Sequence, residues 1–543
     1  MKKVLLLTFN ASYIHPNLAL RWLYVSRPSD YEVIIKEYTL KDKVSKVVRD
    51  IEEIKPDIIG MSVYIWNSEI TKELIRELNQ NHQYRIIVGG PEVSFESEKW
   101  LDEPIEAVIR GEGEISFWQA CNGEKADGLL TRDYVSPISY AMVDVGYLET
   151  LESPYFLSMD DQLRPNRYLY FESSRGCPYR CSYCLSSLDH KLRNFSIEYI
   201  KKELKKLENH PCKQVKFLDR TFNSHPQRAL EIAKFVNELN VDCSFQFEVT
   251  LEHFPEQLLD FFAHTKSGKF RFEVGVQSFN GQTLKAIDRI QNAEKLCRNI
   301  KHFQKHNIVM HTDLIAGLPY EDYNSFKDSF YKLFDLHTDE IQMGILKLLK
   351  GTKLKRESTI YGIEYSPLPP YEVIQTNWVN KEEMDRIKLV ARVLDKTYNN
   401  KLLANTFDVL RELNYDIFEI MADYGQVIFA NEKRQVYDYF NELYKVLTKY
   451  NCHFAQELLL NDYYLKFKER PKPLFIKPDE EIRKALYKKL ISEGMDEHKL
   501  NEYSILDYAF VDGKKGYQLV TYAPSHKLES ISYFDINFNC INA

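Results

Sequence analysis

The chain opens with short apolar runs separated by amphipathic stretches. "KVLLLTF" is followed by a patterned segment from Val44 to Ile54, then by "PDIIGMSVYI", "ITKELIREL", "YRIIVGGP" and "EAVIRGEGE". Continuous apolar runs suit strands buried on both faces, and apolar residues three or four apart suit helices between them. The alternation predicts an α/β domain over residues 1–130, a doubly wound, Rossmann-like parallel sheet. Ligands of such sheets bind beyond the carboxyl ends of the strands, where Gly89-Gly90-Pro91 and Gly111-Glu112-Gly113-Glu114 fall. Read only as tight turns, the same glycines need no ligand.

After a linker over 131–165 the rhythm restarts with longer units. "RYLYFESS", "KQVKFLD", "CSFQFEV", "KFRFEVGVQS", "IVMHTDLIAGLP" and "EIQMGILKLL" are six strand candidates. Helical patterns lie between them, as in Ile197, Ile200, Leu204 and Leu207 with Ser196 as N-cap. Six β/α units over 166–353 predict a partial (β/α)6 barrel with its active site at the C-terminal ends of the strands. Beyond 354 the rhythm is lost. "KEEMDRIKLVARVLDKTY" and "RQVYDYFNELYKVLTKY" read as helices and "KERPKPLFIKP" is broken by prolines, so 354–543 is expected to be mainly helical with a few strands.

Composition narrows the class without changing this outline. With 44% hydrophobic and 28% charged residues, the chain is ordinary globular protein, which excludes disorder, collagen and coiled coil as its main architecture. A net charge of -7 gives no global electrostatic case for nucleic-acid binding. "MKKVLLLTFN" is too short an apolar stretch for a signal core or a membrane span, and the few, uneven cysteines point to a reducing compartment. A cytoplasmic protein without membrane contact is expected.

The distinctive chemistry is "SSRGCPYRCSYC", which places Cys177, Cys181 and Cys184 directly after the first strand of the barrel. At this cysteine content chance would produce about 0.0025 such triplets. Zinc wants a fourth ligand, for which His190 is the nearest candidate, whereas an iron-sulfur cluster held by three thiolates leaves one iron open. No second cysteine pair with finger spacing follows, and the triplet sits where a barrel carries its active site, so the cluster reading is preferred. The other cysteines, Cys121, Cys212, Cys243, Cys297, Cys452 and Cys540, are scattered, and nothing local gives any of them a role.

The triplet, with Tyr183 as the aromatic before the last cysteine, resembles the signature of the radical S-adenosylmethionine (SAM) superfamily. That resemblance implies a 4Fe-4S cluster whose open iron chelates SAM, and one-electron cleavage of SAM to methionine and a 5′-deoxyadenosyl radical. The chain would then need a reductant such as flavodoxin or ferredoxin. "QFEV" with Glu248, "EVGVQS" with Gln277, "IDRIQN" with Arg289 and "DLIAGLPYED" with Asp313 are similar to the SAM-contacting strand ends of the oxygen-independent coproporphyrinogen oxidase branch. By that resemblance Glu248 and Arg289 hold the amino and carboxylate ends of the methionine moiety, and Gln277 and Asp313 bond the ribose hydroxyls. Each has a plainer alternative, Glu248 with Arg289 as a buried ion pair and Asp313 as a strand-end cap. Asp219 and Asn223, in "KFLDRTFN", are weaker SAM candidates.

Residues 1–130 are similar to the cobalamin-binding domain that many radical SAM proteins carry, through Asn10 and Ser12 in "NASYIHPNLAL", Ser62 and Tyr64 in "PDIIGMSVYIWN", Gly89 and Gly90, and Gly111 and Gly113. Small residues there suit close approach of a corrin and its nucleotide tail. His15 lacks the flanking Asp and Gly of a cobalt-ligating histidine and reads as a loop residue. A methylthiotransferase is disfavoured, because residues 1–120 contain no Cys to ligate a second cluster. The layout resembles a cobalamin-dependent radical SAM enzyme with a C-terminal extension of unknown role, and methylation of an unactivated carbon is its leading reaction. Cyclisation or rearrangement without methyl transfer is the alternative, and a non-catalytic corrinoid or metal-binding protein a further one. The residues name no substrate.

Overall fold

The computed structural model describes the chain except residues 81, 190, 431–434, 454, 468–479, 499, 501–503, 512–513, 524–527 and 542–543. His190 and the proline-broken segment therefore lie outside the described residues. Two compact units result, Met1–Thr338 with Ile345–Asn380, and Asp339–Gly344 with Lys381–Ala543.

The first sheet of the larger unit is built from β1 (Lys2–Asn10), β2 (Tyr31–Thr39), β3 (Ile58–Ser62), β4 (Arg85–Gly89), β5 (Ala107–Ile109) and β6 (Leu129–Leu130), in the order β2-β1-β3-β4-β5-β6. All neighbours are parallel except β5 and β6. From Val4 to Asn10 every residue of β1 is buried, with Leu5, Leu7 and Phe9 in one core and Val4 and Leu6 in another, as a central strand covered on both faces requires. The Val44–Ile54 helix buries Val44, Val47 and Ile51 and ends at left-handed Lys55, just before Pro56. Fully burying one such side chain contributes about 1.5–3 kcal/mol. The edge strand β2, "YEVIIKEYT", was not among the expected strands; the structure places it beside β1 over its full length.

The second sheet of the larger unit holds β7 (Tyr168–Phe171), β10 (Gln214–Phe217), β11 (Ser244–Val249), β12 (Phe270–Gln277) and β13 (Val309–Ala316), in the order β13-β12-β11-β10-β7, and β14 (Glu340–Ile345) falls, all but its last residue, in the smaller unit. These are the six expected barrel strands. In β12 the buried Phe270, Phe272, Val274 and Val276 alternate with Arg271, Glu273, Gly275 and Gln277. The aromatic face packs on helices through Phe262 and Phe303, which leaves the polar set on the other face. Ser196 caps the helix Ile197–Lys205, its Oγ accepting from the Tyr199 amide at 3.2 Å. A short hairpin, β8 (Ser174–Arg175) with β9 (Arg193–Asn194), brackets the cysteine loop.

Residues 131–165 do more than connect the sheets: Ala141 bridges to Gly111, and Val145–Glu149 is helical. A small antiparallel pair, β15 (Glu364–Tyr365) with β16 (Val373–Gln375), belongs to the larger unit. The smaller unit contains helices Lys381–Val393, Ala404–Glu412, Ile417–Ile428, Val436–Lys449, Ala455–Lys466 and Glu480–Ser492. A four-stranded antiparallel sheet follows, β17 (Ser504–Val511), β18 (Lys514–Tyr522), β19 (Leu528–Phe534) and β20 (Cys540–Ile541). Its mainly helical character matches the expectation.

Candidate active site

Gly176 opens the cysteine loop with φ +85°, and a Cβ there would meet the Lys191 carbonyl at 2.5 Å. The loop closes on itself through Cys177 N to Asp189 O at 3.1 Å and Cys184 N to Cys181 O at 3.1 Å. All three cysteines are free thiols, Cys177 buried and Cys181 and Cys184 partly so. Burial holds the Cys177 thiol above its ordinary range, against a backbone hydrogen bond from Tyr179 and with a smaller contribution from Cys184 and Cys181. Among the described residues no group of three His, Cys, Asp or Glu is placed to hold a metal ion. Three thiols on one loop form the soft donor set that suits an iron-sulfur cluster.

The polar faces of β11, β12 and β13 bring the expected SAM residues to neighbouring strands. Glu248 lies opposite Glu273, and Gly275 opposite Asp313. Burial pushes Glu248 up to about 7 and Asp313 up to about 8, with the nearby Glu273 adding to both. Glu273 itself accepts a hydrogen bond from Gln246. At the end of β12 the register shifts, Gln277 adopts φ +66°, and its buried Oε1 has no partner. Arg289 donates to the Gly275 carbonyl and to Gln291, and a side-chain hydrogen bond joins it to Cys181. Glu248 and Arg289 thus form no ion pair, and Asp313 caps nothing. Half-buried carboxylates and an orphaned, buried amide oxygen beside a thiol loop fit a ligand that carries an ammonium group and hydroxyls. Tyr183 packs against Cys181 and Arg289.

Asp219 and Asn223 are occupied internally. Asp219 accepts from Ser173 N at 2.9 Å, Ser173 Oγ at 2.5 Å and Ser174 Oγ at 2.6 Å, and Asn223 exchanges hydrogen bonds with the Thr250 backbone.

In the first sheet the strand order reverses between β1 and β3, and Asn10, Ser62 and Tyr64 come together there. Asn17 Nδ2 lies 3.5 Å from Ser62 Oγ and 3.3 Å from the Tyr64 hydroxyl, and Asn10 donates to Glu37. Ser12 is exposed on the following loop, and Tyr64 stacks on Trp66 at 4.4 Å. Polar side chains at a switch point, beside a ring stack whose Trp66 is exposed, fit a corrin edge with amide side chains. The glycines divide into two kinds. Gly90 (φ +111°) and Gly111 (φ +94°) are demanded by their own turns, because a Cβ would meet the Val63 carbonyl at 2.5 Å and the Ala141 carbonyl at 2.4 Å. Gly89 has no such conflict, and Gly113 faces Leu23 at 3.3 Å. His15 is engaged by the barrel, its Nδ1 2.6 Å from the Tyr170 hydroxyl.

One feature of the site was not anticipated. Glu112, between the two glycines, takes both Arg193 guanidinium nitrogens at 2.9 and 2.7 Å and the Val143 amide at 2.6 Å. Arg175, which precedes Gly176, pairs with Glu114 at 2.8 Å and Glu172 at 3.0 Å and lies 3.4 Å from Glu112. The two arginines flank the cysteine loop, so the loop is pinned to the first domain from both ends. The available signal was arginine on either side of the cysteines and paired acids in "RGEGE".

Comparison with known proteins agrees with this geometry. Residues 171–332 match the Radical SAM superfamily, residues 4–119 the B12 binding domain, and residues 359–526 a protein family of unknown function, DUF4080. The chain therefore carries a radical SAM domain and, before it, a B12-binding domain. That layout ends in a DUF4080 region. The cofactors of these domains are a 4Fe-4S cluster, SAM and cobalamin.

An uncharacterised methyltransferase of Pyrococcus horikoshii is 25% identical over 360 residues, covering 62% of this chain and 77% of that protein. The cobalamin-dependent radical SAM methyltransferase TokK of Streptomyces tokunonensis is 25% identical over 351 residues, covering 59% of this chain but only 51% of its own length. The structure of the cobalamin-dependent SAM radical enzyme OxsB, with aqua-cobalamin and SAM bound, superimposes with a TM-score of 0.60 at 15% identity, covering 85% of this chain and 83% of OxsB. Among the described residues no helix is long and apolar enough to cross a membrane.

Proposed function

We propose that the protein is a cobalamin-dependent radical SAM methyltransferase that methylates an unactivated carbon. The observation that carries this reading is the pinning of the cysteine loop to the B12-type domain through Glu112, Glu114, Arg175 and Arg193, which supports a reading with both cofactors within one compact unit.

In this reading Cys177, Cys181 and Cys184 hold the cluster, and Tyr183, Glu248, Gln277, Arg289 and Asp313 hold SAM. Asn10, Ser12, Ser62, Tyr64, Gly89 and Gly113 line the corrin, with Gly90 and Gly111 shaping its turns. When bound, the cluster and SAM supply a radical that activates the substrate carbon, and cobalamin supplies the methyl carrier. The protein's own share is placement. Glu248 and Asp313, half-buried and in no ion pair among the described residues, would accept from the ammonium and hydroxyls of SAM, and Gln277 Oε1 would add a further acceptor. Arg289 presents its guanidinium between Cys181 and the end of β12, where it orients a carboxylate. Tyr183 covers the loop and excludes water.

A cytoplasmic location and an electron-carrier protein, flavodoxin or ferredoxin, belong to the same reading, because a thiolate-bound cluster needs a reducing compartment and a source of single electrons. The test is incubation of the reconstituted protein with methyl-labelled SAM, reductant and candidate substrates. Label in the product is the expected result. A modified product without label assigns the protein to the rearrangement class, and no SAM cleavage under reducing conditions assigns it to non-catalytic corrinoid binding.

A further inference from the structure

A cavity of about 880 Å³ opens beside the cysteine loop, on a side that contains none of Glu248, Gln277 or Asp313. Three segments wall it: the loop itself, residues 281–291, and the short helix Lys353–Arg356. They are tied through one residue between the cluster cysteines, since Ser182 N donates to Ile287 O at 3.0 Å and Leu354 N donates to Ser182 O at 2.9 Å. Arg289, also in the wall, reaches Cys181. A body seated here lies against Ser182, which stands between Cys181 and Cys184 in the chain, and against Arg289, which bonds Cys181.

The cavity is cationic in a chain whose net charge is -7. Exposed Arg180 and Lys285 carry no ion pair among the described residues, and Arg356 bonds only the Gly351 carbonyl. The lone acid of the wall, Asp288, is held by Lys353 at 2.8 Å. Ile290, 87% exposed, offers an apolar anchor within the charged rim.

We infer that this cavity is the docking surface for an acidic electron-carrier protein, represented by flavodoxin. The inference rests on the proposed radical SAM function and supplies its electron entry. A substrate must reach the strand ends that carry Glu248 and Asp313, which this cavity does not contain, whereas an electron needs only proximity to the thiolates. In the step, a reduced anionic flavin loses one electron and the oxidised cluster gains it, with no proton transferred. Opposed charges steer such an encounter and weaken it at high salt.

The experiment uses the full-length reconstituted protein and the double substitution Lys285→Glu with Arg356→Glu, with Lys266→Glu, at the N-terminal approach to β12, as a charge control. Oxidised flavodoxin is titrated at low and high salt, and SAM cleavage is measured separately with reduced flavodoxin and with dithionite. The expected result is salt-sensitive binding that the double variant weakens about tenfold or more. Flavodoxin-driven cleavage falls in parallel, and dithionite-driven cleavage and the control variant match wild type. Flavodoxin that fails to bind wild type, or that binds both proteins equally, overturns the inference. So does tRNA bound in a reversal-sensitive way while flavodoxin is not. Failure of dithionite-driven cleavage in wild type instead strikes at the proposed function, and the binding titration still reads the surface by itself.

Discussion

Replacing Arg193 by Met should loosen the cysteine loop far more than replacing Glu112 by Gln, although the two residues share one bidentate contact. The local charges decide this. Two arginines, Arg175 and Arg193, face four carboxylates, Glu112, Glu114, Glu172 and Asp189, all with side chains 17% exposed or less. The cluster is therefore short of cations. Loss of Arg193 leaves Glu112 with Arg175, 3.4 Å away, and Asp189 with no ion pair among the described residues, and breaking a buried pair in this way costs about 3–5 kcal/mol. Loss of the Glu112 charge leaves Arg193 with Asp189 at 2.8 Å and the Val143 carbonyl at 2.7 Å, so the cost is that of charge-assisted hydrogen bonds, about 1.5–3 kcal/mol.

Hydrogen exchange over residues 174–194 reads this directly, because 3 kcal/mol corresponds to about a hundredfold faster local opening. The double variant should cost less than the sum of the singles. Glu112 also carries a pH signature. Burial opposes its charge, but Arg193 and Arg175 hold its carboxyl below the usual value of 4.5. Its contribution is thus present above that value and lost as pH falls through the lower folded one, and the acid loosening should shrink in Arg193→Met. A Glu112→Gln protein that exchanges faster than Arg193→Met, or strictly additive singles, would refute the argument.

Further outcomes follow from the same geometry. Anaerobically reconstituted protein should hold about four irons and four sulfides per chain, and Cys177→Ala, Cys181→Ala and Cys184→Ala should each lose them, as iron and sulfide analysis will establish. SAM should bind with release of protons, since Glu248 near 7 and Asp313 near 8 must ionise to face an ammonium group. Its affinity should rise as pH increases toward 8, measurable by calorimetry in buffers of different ionisation enthalpy, and Asp313→Asn should flatten that rise. Without SAM the same two groups favour the folded state at low pH and lose that contribution as pH rises from about 4 to about 8. The cob(II)alamin form should show no imidazole hyperfine splitting in electron paramagnetic resonance, since His15 is held by Tyr170, and His15→Ala should leave the spectrum unchanged.

The central strands were legible because burial on both faces leaves a run such as Val4 to Leu7 little choice of residue. By the same logic β2 was not, for an edge strand mixes Glu32, Lys36 and Glu37 with its apolar residues, and its pairing is set by β1 rather than by its own pattern. The cysteine triplet stood out because its spacing has no structural reason to arise by chance. The acids of "RGEGE" did not: their partners Arg175 and Arg193 lie 61 and 81 positions away, and a salt bridge across that separation leaves no periodic trace. For Gly90 and Gly111 the tight-turn reading has a visible backbone cause, since a Cβ would meet the Val63 and Ala141 carbonyls, contacts that no sequence pattern announces.

The limits of the barrel show the same distinction between rhythm and contact. The β/α rhythm stops near residue 353, yet the compact unit continues to Asn380. Residues past the rhythm hold those before it: Leu354 N bonds the Ser182 carbonyl inside the cysteine loop, Tyr371 bonds Glu92 of the first domain, and Lys355 pairs with Glu96. Arg175 and Arg193 bind the loop from one side and the 353–356 helix from the other, so its order is a property of the whole unit rather than of the segment that contains the cysteines. A loop that must keep three thiols apart and ready before any cluster is present gains from such external ties, because short loops of glycine, proline and polar residues bury too little to order themselves.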